Sequence, residues 1–174
     1  MSDFLLTERR GAVLILTMNR PERRNAFTRS MLARMQEVLE EAAEDPEVRV
    51  VVLTGAGGAF CAGGDVKAMS EGMGQDLSFY EQRKSLRTRM EVSRLLHEMP
   101  KPTIAAIEGA AAGAGLSIAL ACDFRIAADT AKITTAFAKV GLSGAPRRAV
   151  RAPASPQKKD RTMASPPTRG GIIG

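Results

Sequence analysis

Two glycine-dense stretches hold the residues whose types and spacing bear on chemistry. The first, "GGAFCAGGDVKAM", runs from Gly57 to Met69. Gly63 and Gly64 stand side by side in it, so no side chain covers the backbone and peptide N–H groups can approach a ligand closely. The second, "EGAAAGAGLSIALACD", starts at Glu108. It reads as a loop that enters a helix near Ala114. A helix start leaves N–H groups without intrahelical partners and carries partial positive charge. Two such donors, Gly64 and Ala114, converging on one carbonyl oxygen would form an oxyanion hole. That device suits thioester chemistry, in which an enolate or tetrahedral oxygen gains charge, and losing one donor costs on the order of 10²–10³ in rate. The competing reading is that these glycines serve only tight turns and close helix–sheet packing.

Other candidates carry less. His97, the single histidine, falls at a helix end beside Pro100 and reads as surface or cap. Ser117 has neither the setting nor the partners of a nucleophile. "GAGGAF" and "GAAAGAG" lack the spacing of a dinucleotide fingerprint and the acid about twenty residues on. Cys61 and Cys122 have no metal-ligand spacing, and two lone thiols without a secretion leader point to a reducing, cytoplasmic setting. No apolar run reaches the ~18 residues needed to span a membrane, so no membrane partner is expected.

The elements that must position the two stretches alternate. Ala12 to Met18 (AVLILTM) reads as a buried strand. The turn "NRPERRN" follows, then a helix capped by Thr28 with Met31, Leu32, Met35, Val38, Leu39, Ala42 and Ala43 on one face. Asp45 and Pro46 end it. Val48 to Leu53, broken by Arg49, is the next strand and delivers the first stretch; a short helical piece is expected near Val66 to Met69. Ser78 and Glu81 have capping-box spacing and open a helix to about His97, with Leu86, Met90 and Leu96 inward. Thr103 to Ile107 is a strand, Gly113 to Ala121 a helix of small residues, and Phe124 to Ala128 and Ile133 onward are strands. This alternation predicts an α/β fold with mostly parallel pairing.

With these residues in view, "NRPERRNAF", "FCAGGDVKAM" and "IEGAAAGAGLSIALACD", in that order, resemble the enoyl-CoA hydratase/isomerase (crotonase) superfamily over roughly Phe4 to Gly144. The resemblance implies a crotonase-like spiral of ββα turns that binds acyl-CoA thioesters. It assigns the two N–H donors to Gly64 and Ala114. It places the adenine ring at the Ala62 backbone, coenzyme A phosphates at Arg24 and Lys67, and Asn25, Ala26, Asp65 and Val66 along the same pocket. For Arg24 and Lys67 the plain alternative is two solvated cations. Asp65 is expected to bond loop backbone, not to move protons. Coenzyme A is then part of the substrate, no separate cofactor or metal is implied, and the family assembles as trimers or hexamers.

The departures from the family pattern are as informative. The two glutamates used by hydratases fall at Ser117 and Phe137, and the acid used by many isomerases falls at Ala145. None can act as a carboxylate base. The alternative to an enoyl-CoA hydratase or isomerase is therefore a non-catalytic acyl-CoA binder or defective subunit. From Ala145 the composition changes: the last thirty residues hold five prolines, seven Lys or Arg and one acid. They account for the whole net charge of +6, and the rest of the chain is neutral. The expectation is a family core over residues 1–144, truncated or frame-shifted, and a disordered basic tail over 145–174. Without interleaved aromatics, that tail is not expected to recognise nucleic acid specifically.

Overall fold

The computed structural model describes residues 4–65 and 78–136. Two strands open the chain, β1 (Leu5–Arg10) and β2 (Val13–Met18), paired antiparallel. A 3₁₀ turn, Pro21–Arg23, leads to α1 (Arg29–Glu44). The remaining elements repeat one unit: a strand, a short strand, a helix. These are β3 (Val50–Gly55), β4 (Ala59–Cys61) and α2 (Phe79–Glu98), then β5 (Thr103–Ile107), β6 (Ala110–Ala112) and α3 (Ala114–Ala121), then β7 (Phe124–Ala127) and β8 (Ile133–Thr134). The first strand of each unit joins one sheet, in the order β1-β2-β3-β5-β7, parallel beyond β2. The second joins another, β4-β6-β8, all parallel. Each turn of the chain thus adds one strand to both sheets, which is the ββα spiral that the resemblance implies.

Physical signals explain most of the elements. Thr28 caps α1, its hydroxyl accepting from the Met31 N–H at 3.0 Å. The face of α1 that carries Met31, Met35, Val38, Leu39 and Ala42 is buried, whereas Leu32 and Ala43 lie at its margin. Ser78 and Glu81 form the capping box of α2. That helix packs against α1 and α3, and among its described side chains Val92, Leu95 and Leu96 are buried in the core. Leu86 departs from the expected inward face: it is 51% exposed, and Met90 is only half-buried. Thr103, fully buried, joins two units by donating to Leu96 O at 2.9 Å and accepting from the Asp123 N–H at 3.0 Å.

β1, β4 and β6 are absent from the sequence expectations, and β3 runs to Gly55, two residues beyond Leu53. β1 alternates poorly, with only Leu5 buried. β4 and β6 are three residues each and are rich in alanine and glycine neighbours, so no period of two can show. The helical piece expected near Val66 to Met69 and the tail over 145–174 lie outside the described residues. Among the described residues, no helix is long and apolar enough to cross a membrane, and no cluster of His, Cys, Asp or Glu could hold a metal ion.

Candidate functional site

β4 and β6 are parallel neighbours, Ala59 opposite Ala110 and Cys61 opposite Ala111. Their carboxyl ends therefore lie side by side, and the chain leaves both at the same edge. β4 continues into Ala62–Asp65, and β6 continues through Gly113 into α3. The two exits touch. A Cβ built on Gly63 would stand 3.1 Å from the Ala114 nitrogen and 2.8 Å from the Ala112 carbonyl oxygen. Gly63 also has φ +96°, a conformation that only glycine adopts without strain. On the other side, a Cβ on Gly115 would lie 2.4 Å from the Cys61 carbonyl oxygen, so α3 presses directly onto the end of β4. Ala114 is the first residue of α3; its N–H has no partner within the helix and sits at the positive end of the helix.

The β4 exit is pinned by the segment from Arg20 to Phe27. Ala62 N donates to Arg24 O at 2.9 Å and Phe27 N to Gly63 O at 2.8 Å, and Phe27 forms a parallel bridge with Gly64. The Cys61 thiol donates to Asn25 O at 3.0 Å, and its sulfur accepts from Gly63 N at 3.3 Å. Burial pushes that thiol up to about 12, as it does Cys122, so neither is a nucleophile at neutral pH.

Asn25 is 0% exposed and in the left-handed region at φ 57°. Its Nδ2 donates to Ala56 O and Ala59 O, both at 2.8 Å, and its Oδ1 accepts from Arg20 N at 2.8 Å. These three bonds commit the Asn25 side chain to the frame of the β4 exit. Asp65 meets the Arg20 guanidinium, 3.2 Å from Nη2 and 3.3 Å from Nη1. Ala26 is buried, Ala62 half-buried and Arg24 exposed. Val66 and Lys67 lie outside the described residues. Arg20 was missed by sequence reasoning. Only its place in "NRPERRNAF", the motif that holds Asn25, could have drawn notice.

The positions that resemble the family's carboxylates contribute none here. Ser117 Oγ donates to Gly113 O at 3.3 Å within the first turn of α3, a helix-internal bond. Phe137 and Ala145 lie outside the described residues.

Residues 8–151 match the family described as enoyl-CoA hydratase/isomerase. The chain belongs to this family. It is 41% identical over 145 residues to a 1,2-epoxyphenylacetyl-CoA isomerase of Escherichia coli, across 82% of this chain and 54% of that protein. It is 40% identical over 137 residues to an enoyl-CoA hydratase of Mycobacterium tuberculosis, across 79% of this chain and 51% of the relative. The crystal structure of an enoyl-CoA hydratase from Polaromonas sp. JS666 superposes with a TM-score of 0.75 at 40% identity, over 81% of this chain and 54% of that one. The chain thus spans about half the length of the relatives it matches, and the family match continues through residue 151, beyond Gly144.

Proposed function

We propose that this chain binds acyl-CoA thioesters and polarises the thioester carbonyl with the Gly64 and Ala114 N–H groups, as an enoyl-CoA hydratase/isomerase-like protein. The observation that carries the reading is the contact between the two exits, with the Gly63 Cβ position 3.1 Å from the Ala114 nitrogen. Two N–H donors on one oxygen draw charge out of the C=O bond. An enolate formed by loss of an α-proton is stabilised by the same donors, and the positive end of α3 adds to their field. Coenzyme A enters as part of the substrate. Arg24, exposed at the rim, and Lys67 would meet its phosphates, and the Ala62 backbone its adenine. Ala26 and Val66 would flank the same path.

A second reading is favoured by Ser117, which stands where a hydratase of the family would carry its first glutamate. With Ser117, Phe137 and Ala145 in place of carboxylates, the chain would bind and polarise an acyl-CoA without turning it over. Crotonyl-CoA separates the two readings. Binding together with loss of the enoyl absorbance indicates an enzyme, and binding with the absorbance intact indicates the non-catalytic form. Gly64→Pro removes one donor and is expected to abolish binding or turnover. Unchanged affinity and rate in that variant would reject the oxyanion assignment.

A further inference from the structure

The Arg20 side chain is largely buried, at 12% exposure. Its Nη1 donates to Ala26 O at 2.8 Å. That carbonyl belongs to the same peptide unit as the Phe27 N–H, which donates to Gly63 O at 2.8 Å. Gly63 O in turn belongs to the same peptide unit as the Gly64 N–H. The described residues contain no cis peptide bond, and in a trans peptide the C=O and N–H point in opposite directions. The three groups therefore form one line: guanidinium to peptide 26–27, peptide 26–27 to peptide 63–64, and peptide 63–64 to whatever accepts from Gly64 N–H.

We infer that Arg20 is a positioning and polarising residue, whose positive charge is relayed through two peptide units to make Gly64 N–H a stronger donor. The inference rests on the acyl-CoA reading given above. Hydrogen-bonded peptides polarise one another, each bond strengthening the next by about 10–30%, and a charged donor at the head of the line is roughly twice as strong as a neutral one. The geometry also fixes direction. With the carbonyl of peptide 63–64 held by Phe27, its N–H is turned to the opposite side, and the glycine cannot rotate the donor away without breaking that bond. The guanidinium itself is held in place. Asp65 takes Nη1 and Nη2, the Phe4 ring lies 5.5 Å from its central carbon, and Asn25 Oδ1 holds its backbone N–H. Its Nε is buried and makes no hydrogen bond, the nearest carboxylate oxygen of Glu22 being 3.7 Å away. The donor capacity of the group is thus spent on the Nη side, toward Ala26 and Asp65.

Acetoacetyl-CoA provides a readout that needs no catalytic base, because its enolate absorbs in the near ultraviolet and its keto form does not. Wild type is expected to raise the enolate fraction of the bound ligand over that in solution at the same pH. Arg20→Gln keeps an N–H donor but loses the charge, and is expected to lower the bound enolate-to-keto ratio about three- to tenfold with the dissociation constant within about twofold. Arg20→Lys should recover most of the ratio. Equal ratios in wild type and Arg20→Gln, each with ligand bound, would overturn the relay while leaving the acyl-CoA reading intact. No enolate enhancement in wild type would sink both. A measurement without substitution covers the case in which Arg20→Gln fails to fold. The Phe27 amide proton should move downfield when acetoacetyl-CoA binds, because engaging Gly64 N–H strengthens the bond upstream. A Phe27 resonance indifferent to bound ligand would also overturn the relay.

Discussion

The two corners that meet at the site are held by different balances of hydrogen bonding and close approach. The β4 exit is tied by hydrogen bonds from residues some forty positions earlier in the chain, through Asn25, Arg20 and Phe27. The start of α3 has one backbone tie, Gly113 N to Thr134 O at 3.1 Å, and is otherwise held by close approach, with Gly115 against the Cys61 carbonyl and Gly113, at φ 51°, in place of a side-chain cap. A corner held by hydrogen bonds fails by degrees, because each partner can be weakened separately. A corner held by close approach fails at once, because a single added carbon has nowhere to go.

Substitutions can break or sharpen this contrast. The largest effect is expected at Gly115→Val, whose Cβ would fall 2.4 Å from a backbone oxygen. The variant should show no cooperative unfolding transition by circular dichroism in urea, and a wild-type transition would mean that α3 is not pressed onto β4. Next comes Asn25→Leu, which strands the buried Ala59 carbonyl and the part-buried Ala56 carbonyl and Arg20 N–H, at about 1–3 kcal/mol each. A loss of about 3 kcal/mol or more in urea unfolding is expected, and a loss below about 1 kcal/mol would show that water or neighbours replace the amide. Gly63→Ala combines a positive φ with a Cβ 2.8 Å from Ala112 O. It should cost about 1–2 kcal/mol and weaken acyl-CoA binding more than it weakens the fold.

The smallest effect is one of pH. Two thiols are buried, Cys61 at the β4 exit and Cys122 at the opposite end of α3 from the corner, and burial raises both from 9.0 to about 12. The folded state therefore holds these protons more tightly than the unfolded chain. Their contribution is complete below pH 9 and is lost as the pH rises from there toward 12. Denaturant unfolding should show stability declining over that interval, with a shallower decline in Cys122→Ala. Equal slopes in the two proteins would contradict the burial of Cys122.

How much of this was legible beforehand follows the same division. The α3 corner could be read in the letters, since a run of Ala and Gly admits close packing and little else. The periodic helices were legible from their caps and apolar faces, α1 nearly to the residue. The β4 corner was legible only in part. Gly63 and Gly64 announce an exposed backbone, but the residues that hold it are Arg20 and Asn25, and nothing local in "NRPERRN" says that a guanidinium reaches Asp65 across forty-five positions. The motif marks Asn25 as a residue to watch, but its three backbone partners are a tertiary fact. β4 and β6 went unread because three residues cannot establish a period. Helical spacing points Leu86 inward, but the core meets α2 at Val92, Leu95 and Leu96 and leaves Leu86 51% exposed.

The central claim is that main-chain N–H groups from both corners share one thioester oxygen. Infrared difference spectroscopy of an acyl-CoA labelled with carbon-13 at its thioester carbonyl tests it most directly. The labelled band is expected to move to lower frequency when the ligand binds, and part of that shift is expected to be lost in Gly63→Ala. A tightly bound ligand whose carbonyl band stays at its free-solution position would contradict it.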